Sequence, residues 1–88
     1  MFRILVYDVS QKRIAKVRRY LSDKMYWSQN STFEGFLSRS QKGCMLEQLG
    51  SFLDPECDSI CLFSTEADFC WTKRVIGQDK GFIDGLVR

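Results

Sequence analysis

Asp8 is the residue whose type and position most clearly suit chemistry. It ends a stretch from Phe2 that is apolar almost throughout, and a strongly basic segment follows from Gln11 to Arg19. A carboxylate held at a rigid strand end beside several cations suits a divalent metal ion that works next to phosphate groups. Strand-end aspartates also cap helices or form turns. The position alone therefore leaves two roles open, a metal ligand or a local structural residue.

The basic segment has the pattern of an amphipathic helix. Residues 10 to 24 hold six cations and one anion, whereas the whole chain has a net charge of +2. Apolar residues gather on one side of the helical wheel and cations on the other. The apolar side consists of Ile14, Val17, Leu21 and Met25, and the basic side of Lys12, Arg13, Lys16 and Arg19. This basic side fits either an ordinary solvated surface or a polyanion such as nucleic acid as a partner. Positive charge in the first turn adds to the helix N-terminus, which already attracts phosphate.

Length and composition predict one globular domain over residues 1–88. The chain has 88 residues, of which 44% are hydrophobic, and a domain this small often completes its core with a second copy. It contains no uninterrupted apolar run long enough to span a membrane. The absence of a signal-peptide pattern at the N-terminus predicts a cytoplasmic location. The four cysteines form no Cys-x-x-Cys pair, and no histidine is present to complete a common zinc site, so we expect buried thiols without disulfides.

Strand-like and helix-like segments alternate along the chain. The β-prone stretch from Tyr26 to Leu37 has a polar centre and is compatible with a hairpin or one bent strand. A second helix is expected to begin at Ser38 or Ser40 and to end before Asp54 and Pro55. The remaining expected elements are a strand at 58–64, a helical turn at 66–69, a strand at 71–76, a break at 77–81 and a short apolar tail at 82–87.

This order predicts an α+β fold of the ferredoxin-like βαββαβ type with an extra C-terminal strand. Alternation along the first strand puts Ile4 and Val6 on one face of the sheet and Leu5 and Tyr7 on the other, so both faces are apolar. Because two helices cover one face only, a second protomer packed sheet against sheet is the simplest cover for the other. We therefore expect a homodimer, in which the extra strand extends the partner's sheet edge and residues 78–88 form a tail that docks on the partner.

Several segments occur in an order and at a spacing that resemble the CRISPR-associated protein two family (Cas-two), the small subunit of the spacer-acquisition machinery. The resemblance covers residues 2 to 77 and rests on Val6 to Ser10, the basic helix, Gln29 to Glu34, Leu53 to Pro55 and Asp58 to Ile60. It implies a ferredoxin-like homodimer whose strand-end aspartates face each other. It also implies a place beside the integrase subunit in the capture of duplex DNA. For some members it implies Mg-dependent nuclease activity on RNA or DNA.

The same resemblance implies roles for individual residues. Asp8 matches the catalytic, metal-binding aspartate, with magnesium or another divalent cation bound at the dimer interface, and Tyr7 precedes it as expected. Arg13 and Lys16 match nucleic-acid contacts of the family. The signature Gln-x-Ser-x-Phe-Glu is matched by Gln29, Ser31, Phe33 and Glu34.

The chain also departs from the family pattern. Phe33 is expected in the core or the dimer interface rather than against substrate, and Gln29 and Ser31 can simply pair backbone groups at a hairpin. Trp27 stands where many members carry a basic residue. Either a phosphate contact is lost at this position or an aromatic surface replaces it.

Chemistry and resemblance together favour a metal-dependent endonuclease, with other functions open. A chain without histidine lacks the usual general base, so metal activation of water is the natural route to phosphodiester cleavage. In this reading Lys12, Arg13 and Lys16 position the backbone of duplex DNA or single-stranded RNA. One alternative is a non-catalytic scaffold whose basic helices grip duplex DNA. The other is a toxin-like ribonuclease of related fold.

Overall fold

A five-stranded antiparallel sheet in the order β2-β3-β1-β4-β5 forms the centre of the protein. The computed structural model describes residues 1–65 and 71–78. Its elements are β1 (Phe2–Asp8), α1 (Gln11–Ser22), β2 (Tyr26–Gln29), β3 (Thr32–Phe36), α2 (Arg39–Phe52), β4 (Ser59–Thr65) and β5 (Trp71–Gly77). The first six elements have the ferredoxin-like βαββαβ order, so the predicted fold is confirmed, and β5 is the extra strand.

Both helices pack on one face of the sheet. Leu5 and Tyr7 of β1 are buried there, in one cluster with Val17 and Leu21 of α1 and with three residues of α2, Met45, Leu46 and Leu49. Ile60 and Leu62 of β4 complete this core, at the register positions opposite Tyr7 and Leu5. Burial thus follows the alternation expected for a strand with helices on one side.

The other face of the sheet, called here the distal face, carries the alternate residues of β1: Phe2, Ile4, Val6 and Asp8. Ile4 and Val6 are half-buried, and their register partners on β4, Phe63 and Cys61, are buried. Towards the β2 edge, Tyr26 and Phe36 are 80% and 77% exposed. The predicted apolar character of both faces is therefore confirmed.

Local sequence signals explain where the elements change direction. The stretch from Tyr26 to Leu37 is a hairpin, in which Gln29 pairs with Thr32 and Asn30 takes a positive φ of 47°, a conformation that asparagine tolerates better than most residues. Ser38 caps α2 in a reciprocal arrangement with Gln41, each side chain bonding the other's backbone N–H. The second helix therefore begins at Arg39, inside the predicted range.

Gly77 marks the end of β5 and has a positive φ of 82°. A Cβ at this position would lie 2.1 Å from the carbonyl oxygen of Asp58, so glycine is required. All seven residues of β5 pair with β4 of the same chain. One side of β5 is therefore paired within the chain, and its other side is an edge of the described sheet. The hypothesis that this strand adds to a partner's sheet edge stays a prediction.

The expectations for the cysteines, the C-terminal segments and membrane spans have separate outcomes. Cys44 and Cys57 are exposed and Cys61 is buried, so the expectation of buried thiols is wrong for two of the three described cysteines. Cys70, the helical turn at 66–69 and the tail from residue 79 to 88 lie outside the described residues. Neither helix is long and apolar enough to cross a membrane, within the part of the chain that the structure describes.

Candidate functional site

Asp8 is the last residue of β1 and is exposed. It pairs with Ser59 of β4 and points to the distal face, two positions beyond Val6. The N-cap of α1 is Ser10, so Asp8 is not the helix cap. The strand that leads to Asp8 lies between β3 and β4; Asp8 itself pairs with β4, whereas the register with β3 ends at Val6. Its backbone position is therefore rigid while its side chain reaches solvent.

A second carboxylate, Asp58, fixes the connection that follows Asp8. Its side chain is fully buried. One oxygen accepts a hydrogen bond from the backbone N–H of Ser10 at 2.8 Å, and the other accepts one from the N–H of Asp54 at 3.0 Å. Arg13 forms a two-pronged ion pair with it, through Nε and through Nη2 at 3.1 Å. Asp58 thus joins the β1–α1 connection to the α2–β4 connection.

This contact also resolves a problem at the N-terminus of α1. The first turn contains no acidic residue, and the side chain of Ser10 makes no capping hydrogen bond. Cations in a first turn are unfavourable by a few tenths of a kcal/mol each. The carboxylate of Asp58 supplies the missing negative charge from a residue 48 positions away in the chain. The expected concentration of positive potential at this helix end is therefore partly neutralised.

Burial by itself would raise the pKa of Asp58, but hydrogen bonds from Arg13, Asp54 and Ser10 outweigh it and lower the pKa from 3.8 to about 2. The same contact raises the pKa of Arg13. Because the folded-state pKa of Asp58 lies below its unfolded value, its contribution to stability is present above about pH 4 and is lost as the pH falls through about 2.

Arg13→Gln is expected to weaken the pH dependence of stability in acid. Without the guanidinium, the pKa of Asp58 moves back towards its ordinary value, so less stability remains to be lost on acidification. Urea unfolding at several pH values between about 5 and about 2 measures this slope. Arg19→Gln removes an exposed cation from the same helix and serves as the control. An unchanged slope in Arg13→Gln would show that the ion pair does not set the titration of Asp58.

The remaining cations of the predicted basic side are exposed. Lys12 lies in the first turn of α1, and Lys16 and Arg19 line a groove between α1 and α2. The Lys16 ammonium lies 4.5 Å from the centre of the Phe52 ring. Arg13 differs from these three because its guanidinium is engaged by Asp58, which places it away from the outer basic surface. Its predicted role as a nucleic-acid contact stays a prediction.

The signature residues divide between core and hairpin. Phe33 is 1% exposed and packs against Tyr7, with ring centres 6.2 Å apart, which confirms the expected core position. The carbonyl of Ser31 accepts the N–H of Tyr7 at 3.0 Å, so the hairpin turn is tied to the end of β1. Gln29 is exposed at the end of β2.

Glu34 shares the distal face with Asp8 but does not approach it. It lies opposite Ile4, four residues back along β1, a separation of about 13 Å at the usual strand rise. Asp58 is buried in its own ion pair. Among residues 1–65 and 71–78, no group of three or more acidic or cysteine side chains is placed to hold a metal ion. The described residues of one copy therefore bring a single exposed carboxylate, that of Asp8, to this site.

Tyr7 makes a contact that sequence reasoning missed. Its hydroxyl, on the helix side of the sheet, accepts a hydrogen bond from Arg18 Nε at 2.8 Å. The spacing from strand to helix gives no signal for this pair. The only hint in the sequence was the number of cations on α1. Arg18 is additional to the four cations that form the predicted basic side.

The fold and the site together define a ferredoxin-like protein with a strand-end acidic site. Its antiparallel sheet has α1 and α2 on one face and a carboxylate at the end of the central strand. A crystal structure of cas2 superposes with a TM-score of 0.70 at 34% identity and covers 92% of this chain and 91% of its own. The family model for CRISPR associated protein Cas2 matches residues 1–73. The chain therefore belongs to the Cas2 family, which is the family that the sequence resembles.

Two relatives illustrate the similarity. The CRISPR-associated endoribonuclease Cas2 of Methanothermobacter thermautotrophicus is 32% identical over 87 residues, which are 99% of this chain and 96% of the relative. The CRISPR-associated endoribonuclease Cas2 3 of Thermodesulfovibrio yellowstonii is 36% identical over 80 residues, 90% of each chain. The similarity thus extends over nearly the full length of both proteins.

Proposed function

We propose that this protein is a cytoplasmic CRISPR adaptation nuclease that works as a homodimer beside the integrase subunit and cleaves phosphodiester bonds at paired Asp8 residues. The observation that supports it best is the exposed Asp8 at the end of the central strand, three residues before a basic helix. RNA is the first substrate to test, because similar proteins of this family are named endoribonucleases. Duplex DNA is the second, because phosphate contacts from α1 need no particular sequence.

The distal face supports the dimer. Phe2 and Phe36 stack edge to face at a ring-centre distance of 5.3 Å, and Phe36 remains 77% exposed. Tyr26 extends this apolar surface towards the β2 edge. Contiguous exposed aromatic surface commonly marks a protein interface. A two-fold axis close to the end of β1 would bring the Asp8 side chains of two copies together.

Magnesium or another divalent cation fits the donor chemistry of such a pair. Carboxylate oxygens are the ligands that magnesium prefers, and it binds through one or two carboxylates while keeping several waters. Asp8 would hold the ion from each copy, because the described residues of one chain bring one carboxylate to the site and a pair of chains brings two. When bound, the ion would supply polarisation of the phosphate and activation of a water molecule.

The other residues of the site bind and orient the nucleic acid. Lys12, Lys16 and Arg19 are exposed along α1 and would hold phosphate groups without reading sequence. Asp58 holds the start of this helix through Ser10, and so fixes α1 relative to Asp8. The neutralised Arg13 would contribute to helix position more than to phosphate binding.

Asp8→Asn is expected to reduce metal-dependent cleavage by roughly a hundredfold while leaving nucleic-acid binding almost unchanged. The amide keeps the size of the side chain and removes the charge that would hold the cation. Labelled single-stranded RNA and duplex DNA are incubated with wild type and variant, with magnesium or a chelator. Asp23→Asn, which neutralises an exposed carboxylate at the end of α1, is the control and should cleave like wild type.

Two results would contradict this function. Equal cleavage by wild type and Asp8→Asn would identify a contaminating nuclease. Absence of cleavage by either, with binding intact, would make the protein a non-catalytic scaffold and leave Asp8 without a catalytic role.

A further inference from the structure

Trp27 is an exposed aromatic residue at the edge of the helix side of the sheet. Its side chain is 59% exposed although tryptophan is usually well covered in folded proteins. The indole N–H donates to the carbonyl of Asn30 at 2.9 Å. A bulge between Trp27 and Gln29 interrupts the regular pairing of β2 and β3 at this point, and bulges commonly re-aim a side chain. The indole is therefore fixed in orientation, with its polar atom satisfied and its ring surface in solvent.

Arg18 lies beside this ring in a shallow pocket. The pocket is lined by Arg18, Ser22, Trp27 and Phe33 and has a volume of about 240 Å³. One water molecule needs about 10 to 15 Å³ by the same measure, so the pocket has enough room for a flat ring. Phe33 is almost fully buried, and its edge forms an apolar part of the wall.

The guanidinium of Arg18 is held from one side only. Its Nε donates to the hydroxyl of Tyr7 at 2.8 Å, and Tyr7 is itself 3% exposed. Within residues 1–65 and 71–78, the two terminal nitrogens of Arg18 have no hydrogen-bond or ion-pair partner. A planar guanidinium fixed in this way keeps two donors directed at an incoming anion at little entropic cost. Arginine in this state is well suited to phosphate.

We propose that this pocket, called here the Trp27 pocket, binds one nucleotide of a single-stranded nucleic acid. The base stacks on the indole and the adjacent phosphate contacts Arg18. An aromatic surface beside a cation is the combination by which proteins bind single strands, because every base has a face that can stack. A duplex does not offer an unpaired base to such a surface. The proposal rests on the proposed function, since it names the form of nucleic acid that the protein holds.

Tryptophan fluorescence tests the pocket directly. The chain has two tryptophans, Trp27 and Trp71, of which the second is 53% exposed on β5. In Trp71→Phe, the signal reports Trp27 alone, and in Trp27→Phe it reports Trp71 alone. A single strand of about ten nucleotides should quench Trp71→Phe at the same concentrations at which it raises the anisotropy of a labelled strand. The same strand should leave the fluorescence of Trp27→Phe nearly unchanged.

Affinity supplies the second readout. Trp27→Ala is expected to weaken single-strand binding roughly tenfold, and Trp27→Phe should retain most of it because stacking is preserved. Arg18→Gln should weaken binding of the strand and reduce its salt dependence by about one phosphate contact. The matched control Trp71→Ala should bind within about twofold of wild type. Thermal melting of each variant shows that the fold is intact.

The outcomes separate the pocket from the general function. Binding by anisotropy without quenching in Trp71→Phe would overturn the Trp27 pocket and leave nucleic-acid binding standing. Equal quenching by duplex and single strand would overturn its selectivity for unpaired bases. Absence of binding to either form would overturn the pocket and the proposed function together.

Discussion

Asp58→Ala is expected to lower the free energy of unfolding by about 3 kcal/mol. The carboxylate is fully buried and accepts hydrogen bonds from two backbone N–H groups and from Arg13. Alanine leaves both N–H groups without an acceptor, each at a cost of about 1 to 3 kcal/mol where water cannot reach them. The Arg13 side chain is 21% exposed and can turn partly towards water. Urea unfolding of the variant and of wild type at neutral pH measures the difference.

A double-mutant cycle isolates the part that comes from the ion pair. Arg13→Ala, Asp58→Ala and the double variant are compared with wild type, and the double variant should lose less stability than the two single variants combined. Asp23→Ala, at an exposed carboxylate, should change stability by less than about 0.5 kcal/mol. Additive losses of unfolding free energy would show that Arg13 and Asp58 act independently. The buried carboxylate would then stabilise the fold through its hydrogen bonds to backbone N–H groups alone.

The position of Asp58 matters for Asp8 as well. Ser10, whose backbone N–H Asp58 holds, follows Asp8 by two residues and occupies the N-cap position of the basic helix. Loss of this contact frees the connection between the strand that carries Asp8 and the helix that carries Lys12 and Lys16. The structure therefore couples the geometry of the candidate site to a residue whose own side chain is buried in another contact.

Most of the fold could be predicted from the sequence because its signals are local. The alternation in β1, the polar centre of the hairpin at Asn30 and the capping serine at Ser38 each act within a few residues. The strand boundaries at Ser59 and Trp71 differ from expectation by one residue at most. The pairing of β5 was not predictable in the same way, because it depends on which edge strand lies nearest after folding.

The candidate site was predictable only in part. Asp8 was identifiable because a carboxylate at the end of a mostly apolar strand stands out against its neighbours. The ion pair of Arg13 and the contact of Arg18 with Tyr7 join residues that are 45 and 11 positions apart, and no periodicity signals them. Arg3 is a similar case: it lies buried on the helix side of β1, where its Nε donates to the Leu37 carbonyl at 3.1 Å. A count of charged residues in the sequence treats these arginines as surface cations, whereas in the folded protein tertiary contacts engage their guanidinium groups.

Val6→Lys is expected to prevent dimer formation, with a rise in the dissociation constant of roughly a thousandfold or more. Val6 lies on the distal face, two positions before Asp8 on β1. In a dimer that pairs the Asp8 residues, two introduced lysines would lie close together in an apolar interface, where like charges cost several kcal/mol. The monomer should still fold, because Val6 faces away from α1 and α2. Cleavage should be lost together with the dimer, since the proposed site takes one Asp8 carboxylate from each chain.

Sedimentation velocity at micromolar concentration, with circular dichroism to check the fold, decides this prediction. Gln48→Lys adds the same charge on the exposed side of α2 and should remain dimeric. A wild-type protein that is monomeric at micromolar concentration would refute sheet-to-sheet pairing, and so would a dimeric Val6→Lys. A monomeric Val6→Lys that still cleaves RNA at the wild-type rate would show that one Asp8 is sufficient. The paired-aspartate site would then be wrong even though the dimer itself is real.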